Sequence, residues 1–404
     1  MSTPEKPTGP ARLISPLGFA LGMAAGLALL AWKGREVAAH DWHAGFTRFH
    51  PMISPEAMYE PTVDEMCSIV RARCRPDQVL VVIGGNSILL GVGQPADKMW
   101  TRQLQDNLGD RYAVVNLAFR GAAPNDAGAV VAEALRNEFP RQIYVANEIP
   151  FQSGSPIGIE TYRFALLDAY FKGRLLPWKP RDRAISSYLR ATDYRDFGVM
   201  DLEVGAKLDS WLYFHNFWNW ISYNYHFTFG TPLMPHAPEA FWPRSRFEDK
   251  ENDFDSIPFE TRFTPQVVAT DLNIARSYTA AFYRQNRDKS WTREADALDS
   301  FLRSARAEFP DPLKRRTLIL VGRNNPYYTK QLEPEIQARD ELAIADTLGA
   351  LESLGYGAVG YGRDFSEEDF GDRSHLTTSG GAKLAAIVAS KLEAMAGELN
   401  YIKP

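Results

Sequence analysis

Three observations predict an α/β chain in which helices cover both faces of a parallel sheet, with one large insertion and a transmembrane helix near the N-terminus. Short apolar strands alternate with amphipathic helices. The alternation stops for about 165 residues and then resumes. A run of 20 uncharged, mostly apolar residues, 13–32, stands near the start. Strand–helix–strand order with short connections is the pattern of a parallel sheet between helical layers.

Residues 1–12 are polar and rich in Pro and Gly, and are expected to form a disordered cytoplasmic tail. The run LISPLGFALGMAAGLALLAW (13–32) has the length a helix needs to cross a bilayer core. Lys6 and Arg12 precede it and Lys33 and Arg35 follow, so charge alone leaves its orientation open. A cleaved signal peptide is the rival reading, with VAA at 37–39 a loose match to a cleavage site. The uncleaved single-pass anchor, with the remaining chain outside the cytoplasm, is the expectation.

Residues 33–78 form a linker and a lead-in helix around 60–74. Cys67 and Cys74 lie in that helix. Seven helical positions separate them by roughly 10 Å, too far for a disulfide. An isolated pair of this kind is also a poor metal site, and no cofactor is expected.

VLVVIGG (79–85) predicts a buried strand, 98–109 an amphipathic helix, 112–121 a second strand, 126–139 a second helix and 142–148 a third strand. After the break, 317–326 predicts a fourth strand, 337–354 a helix, 356–362 a short strand and 382–399 the last helix. One catalytic domain is therefore assigned to 79–150 and 316–404, and 151–315 is an insertion. A plain loop of that length is not credible, so the insertion must carry structure of its own. The net charge of -5 and the pI of about 5.9 argue against nucleic acid as a partner.

Two distant segments complete each other chemically. VLVVIGGNSILLG (79–91) ends a strand at Gly84-Gly85 and presents Ser87 on the turn that follows. Asn86 there tolerates unusual backbone angles. GDRSHLTTSGG (371–381) places Asp372 one helical turn before His375 at the entrance to the last helix. Together they supply nucleophile, base and orienter. The plainer alternatives are that Ser87 caps the next helix and that Asp372 or Ser374 caps the last one. Both segments follow strands of one parallel sheet and so emerge on one rim, where open α/β sheets bind ligands.

Four blocks in order, GGNS (84–87), NLAFRG (116–121), ANE (146–148) and DRSH (372–375), resemble those of the SGNH (GDSL-type) hydrolase superfamily. The resemblance spans roughly 240 residues. It implies a flavodoxin-like, three-layer α/β/α sandwich, and an oxyanion hole made by the Ser87 and Gly121 N–H groups with the Asn147 side chain. The chain departs from the family in reading GNS for GDS and Asn147-Glu148 for Asn-Asp. Asn324 and Asn325, after the fourth strand, are the rival oxyanion donors; the plain reading there is a polar turn before Pro326.

The insertion contains WLYFHNFWNWISYNYHFTFG (211–230), half of it aromatic. Trp211, Phe214, Trp218 and Ile221 share one helical face. Packing against the sheet is the plain reading. A platform for sugar rings built from Trp211, Trp218 and Trp220, or contact with the membrane interface, are the sharper ones. His215 and His226 are taken as polar positions, and FEDKENDFD (247–255) as a solvated acidic loop.

The GNS variant and the anchor resemble membrane-tethered members such as the alginate O-acetyltransferases and the D-alanyl transfer protein of teichoic-acid modification, and the large aromatic insertion points the same way. That similarity implies O-acylation of an extracytoplasmic polysaccharide through an acyl-serine. An acyl donor, a glycan acceptor and a multispanning membrane-bound O-acyltransferase are the partners it implies. An esterase or lipase is one alternative, and a non-catalytic glycan-binding scaffold is another.

Overall fold

The computed structural model describes residues 15–39, 52–54, 57–58, 62–125, 127–148, 253–277, 279–308 and 311–402, with scattered positions between 208 and 221. His226, Trp218 and His215 lie outside the described residues.

Five strands, β1 (Val79–Ile83), β2 (Tyr112–Asn116), β3 (Gln142–Glu148), β4 (Thr317–Gly322) and β5 (Gly357–Tyr361), form one sheet in the order β2-β1-β3-β4-β5. Every neighbouring pair is parallel. The chain therefore runs from β1 outward to β2, crosses back to β3, and continues the other way. The crevice between the carboxyl ends of β1 and β3 is the switch point, where such sheets bind ligands.

The helices that frame the sheet and the site among the described residues, leaving out the short turns Phe259–Arg262, Asp311–Lys314 and Pro326–Thr329, are α1 (Pro16–Ala39), α2 (Val63–Arg73), α3 (Ser87–Leu90), α4 (Trp100–Leu108), α5 (Ala127–Ala134), α6 (Pro265–Ser277), α7 (Ala295–Glu308), α8 (Pro334–Ser353) and α9 (Thr378–Glu398). β1 is buried along its whole length, because it faces a core on each side. Leu80 and Val82 join the core under α2, α5 and α8, with Met66, Val130 and Leu351. Val79, Val81 and Ile83 join the core under α4 and α9, with Trp100, Leu104, Leu384 and Val388. Pleat alternation thus turns an unbroken apolar run into a strand covered on both faces.

α1 is long and apolar enough to cross a membrane, with a mean hydropathy of 1.5 over Pro16–Ala38. It outruns the predicted segment: positions 33–39, expected as linker, continue the helix. Lys33 pairs with Glu36 at 3.2 Å, and Val37 and Ala38 are buried. Ser68 of α2 donates to the Ala38 carbonyl at 2.6 Å, so the end of α1 is built into the folded domain.

Both cysteines are free and buried; burial pushes the Cys74 thiol up to about 11. β2 and β4 stop earlier than predicted. Asn116 turns its side chain back onto the Ala118 N–H at 3.0 Å, and Asn325-Pro326 begins a new helical turn. The described part of the insertion holds α6, α7 and an antiparallel ribbon of Tyr283–Gln285 with Trp291–Arg293.

Candidate active site

The turn after β1 exists because two positions have no side chain. A Cβ on Gly84 would strike the Tyr144 ring, and one on Gly85 would strike the Asn147 side chain. Gly85 also has φ +82°, a backbone region that disfavours side chains. Asn86, expected to carry unusual angles, is instead extended at φ -91°, ψ -166° and caps α3 by accepting from the Ile88 N–H. The cap is therefore Asn86, and Ser87 keeps its hydroxyl for other work.

That hydroxyl lies 2.8 Å from His375 Nε2. On the other side of the ring, Nδ1 is 2.6 Å from Asp372 Oδ2. Asp372 Oδ1 accepts from the Ser374 and His375 N–H groups, each at 2.8 Å. Burial pushes the Asp372 pKa up. The His375 hydrogen bond and charge and the two backbone donors outweigh that, and hold it below the usual carboxylate value. An ionised carboxylate can only accept. Nδ1 therefore carries the proton, and Nε2 presents a lone pair to the Ser87 O–H.

The segment bearing Asp372 and His375 is a closed loop rather than the helical turn expected. Phe370 bridges Leu376, and the Gly371 N–H donates to the His375 carbonyl at 2.8 Å. The last helix is capped by Thr377, so neither Asp372 nor Ser374 is spent on capping.

Asn147 sits on β3 beside the Ser87 turn. Its Nδ2 donates to Asn86 Oδ1 at 2.8 Å, and its Oδ1 accepts from the Asn86 N–H at 3.0 Å. An amide nitrogen carries two hydrogens, and this bond uses one. Asn147, Ser87, Gly121 and His375 line the same cavity of about 630 Å³.

The rival asparagines separate. Asn325 is fully buried; its Nδ2 is aimed at the Asp372 and Glu367 carbonyls at 3.2 and 3.4 Å, which makes it a prop for the Asp372 loop. Asn324 lines the cavity, and its Oδ1 accepts from Arg373 at 3.1 Å.

The far wall of the cavity is polar. Arg323 makes two hydrogen bonds to Glu341 at 2.7 and 2.8 Å, while Lys330, Asp340 and Arg363 line the same space. Burial raises the Asp340 pKa, and the Arg323 hydrogen bond lowers that of Glu341.

Trp211 and Trp220 of the predicted tryptophan platform do not line this cavity. Trp211 is 54% exposed, and Trp220 stacks with Phe217 at 6.1 Å and lies under the Lys33 ammonium at 4.9 Å. Neither is among the residues lining the cavity. The Lys33 that covers Trp220 belongs to the end of α1.

Four positioning residues escaped the sequence reading. Gln94, fully buried, donates to the Leu376 and Thr377 carbonyls, both at 3.2 Å, and accepts from the Trp100 N–H at 2.9 Å. It thereby ties the Ser87 side of the site to the His375 side. Asn116 donates to the Leu89 and Leu90 carbonyls at 3.2 and 3.3 Å, and the Trp100 indole N–H reaches Leu89 at 2.8 Å. Both satisfy the open end of α3.

The fourth is Phe254, inside the stretch expected to be a solvated acidic loop. Its N–H donates to the Gly93 carbonyl at 2.9 Å. Its ring fills the space a side chain at Gly93 or Gly371 would need. The only local signal was an aromatic between the acidic residues Asp253 and Asp255.

Compared with known proteins, the chain matches no family model and no curated protein.

Proposed function

We propose that this chain is a membrane-anchored serine acyltransferase of the SGNH type, moving an acyl group onto a polar acceptor such as an extracytoplasmic polysaccharide. The observation that supports it best is the continuous hydrogen-bonded series from Ser87 through His375 to Asp372, joining residues 288 positions apart.

Ser87 Oγ attacks the acyl carbonyl while His375 Nε2 takes its proton, and Asp372 stabilises the imidazolium that forms. The developing oxyanion is met by the Ser87 and Gly121 N–H groups and the second Asn147 hydrogen. His375 then protonates the departing group of the donor, leaving an ester on Ser87. In the second half, an acceptor hydroxyl gives its proton to His375 and attacks that ester. The acyl group ends on the acceptor, and Ser87 regains its proton.

Transfer to a polar acceptor is favoured over lipid hydrolysis by the cavity wall. Its polar pairs, the Arg323–Glu341 ion pair and the hydrogen bond from Arg373 to Asn324, suit hydroxyl-rich rings better than an acyl chain. By the family resemblance, a multispanning O-acyltransferase supplies the acyl group at the membrane.

The test uses an aryl acetate as donor. Mass spectrometry should find an acetyl group on Ser87, absent in Ser87→Ala, and an added oligosaccharide should accelerate its loss and become acetylated. Release only to water would make the protein an esterase. No label on Ser87 with any acyl ester would leave the scaffold reading standing.

A further inference from the structure

Tyr213, Asn216 and Trp220 pack against the end of α1 and the start of α2. α2 gives the direction. Its last turn lies at the amino ends of the strands: Arg71 pairs with Glu138, just before β3, with bonds of 2.9 and 3.0 Å. Gln78, between α2 and β1, donates to the carbonyl of Asp110, just before β2, at 2.9 Å. An 11-residue helix is about 16 Å long, and a five-residue strand about the same. Thr62, the cap of α2, is thus carried to the opposite edge, the rim that bears Ser87.

α1 climbs past that rim. Ala38 is level with Ser68 of α2. One turn earlier in α1, Gly34 lies so close to Tyr213 that a Cβ there would strike it. Asn216, one turn on from Tyr213, donates to Thr62 Oγ1 at 2.9 Å. α1 therefore runs beside α2 in the same sense, and its apolar turns before Lys33 project beyond the rim, with Leu17, Phe19, Leu21 and Leu29 exposed.

At the base of this projection stands an aromatic belt. Trp32 is 65% exposed and Trp211 54%, with Leu208 exposed beside them, and the Lys33 ammonium sits over Trp220 at 4.9 Å. Indoles and lysines at the end of an apolar helix are the residues that settle in the headgroup layer.

We infer that the rim carrying the Ser87 cavity faces the bilayer, with the exposed Leu208 and Trp211 side chains seated in the phospholipid headgroup layer as a second contact beside the span. This rests on α1 being a retained anchor, and it gives the proposed acyl transfer a direction. A donor presented at the membrane surface reaches Ser87 without passing around the domain.

The test places a fluorescent donor on the full-length chain in nanodiscs of phosphatidylcholine and phosphatidylglycerol containing a headgroup-labelled acceptor. Asp97 and Asp364, exposed on the rim after β1 and β5, are replaced one at a time by Cys. Asp77 and Asp110, exposed at the opposite pole before β1 and β2, are replaced likewise. The poles differ in height by at least a strand length, about 17 Å, so rim donors should transfer energy about twofold more efficiently than polar ones. Equal transfer from the four positions, or stronger transfer from Asp77 and Asp110, overturns the orientation, and so does failure of the protein to float with lipid. In Gly34→Leu, which wedges α1 from Tyr213, the difference should shrink; an unchanged difference there removes the contact of Leu208 and Trp211 from the inference. The same ordering is expected in Ser87→Ala, so a failed acyl-transfer assignment would leave this result intact.

Discussion

The turn that carries Ser87 and the loop that carries Asp372 and His375 meet at the Ser87–His375 hydrogen bond, yet they are held by different chemistry. Around Ser87 the braces are neutral: the amides of Asn86, Gln94, Asn116 and Asn147 and the indole of Trp100. Around His375 they are largely ionic. Asp369, 2% exposed, pairs with Lys383 and accepts from Ser379 at 2.8 Å and from Ser366, and Arg262 holds the Phe370 carbonyl at 2.9 Å. The turn under Ser87 is thus braced by groups that do not titrate, whereas the loop under His375 depends on the Asp369 carboxylate staying ionised.

The largest effect tests the bond between the two walls. Ser87→Ala and His375→Ala should each lower turnover by roughly 10⁴-fold or more, and the double variant should be little worse, because the pair acts as a unit. Asp372→Asn should fall in a similar range, since the amide no longer fixes the tautomer. Steady-state kinetics on one aryl ester compares all four. Additive losses would mean that the two walls work separately.

Next comes the oxyanion donor. Asn147→Ala should cost about a hundredfold or more in turnover, with KM moving less. Asn325→Ala should instead act through the Asp372 loop, lowering the melting temperature together with activity, because it strands two carbonyls. Asn324→Ala should be mild. A severe kinetic loss in Asn324→Ala at unchanged stability would move the third block to β4.

Gln94→Leu separates brace from chemistry. It leaves the Leu376 and Thr377 carbonyls and the Trp100 N–H without their partner, which should cost about 1–3 kcal/mol. Denaturant unfolding measures it, and an unaltered midpoint would remove Gln94 from its role between the walls.

The smallest effect is a slope with pH. Burial raises the Asp369 pKa, but Lys383 and the serine donors outweigh it, so its folded value lies below the unfolded one; Asp372 behaves likewise. The stability each contributes is complete above the ordinary Asp value of about 3.9 and is lost as pH falls through the depressed folded value. Melting temperature should therefore decline as pH drops from about 5 toward 3. Asp369→Asn should start lower and decline less. Equal slopes in the two proteins would show that the ionic brace is idle.

Most of the sheet was legible because its strands are continuous apolar runs closed by Gly, Asn or Pro, and burial on both faces leaves such runs no other use. Ser87, Asp372 and His375 were legible as residue types after strands of one sheet. Their backbone setting was not, since a three-residue spacing suits a helical turn as well as the Asp372 loop. The braces were hidden for a different reason. Gln94 and Asn116 contact carbonyls, which every residue has, so no partner residue marks them. Phe254 was missed because its partners, Gly93 and Gly371, are defined by the space they leave. The end of α1 was misread as linker because its helix is extended by packing on α2, which hydropathy does not register.

The 288 positions between Ser87 and His375 also order events in time. At 5–20 residues per second, the ribosome delivers the histidine roughly 15–60 s after the serine. During that interval α1, near the N-terminus, is already made, and Ser87 has no imidazole beside it. If Ser87 is the nucleophile we propose, a nascent chain cannot acylate itself or a bystander, and the hydroxyl is armed only when the last strand and helix close the sheet.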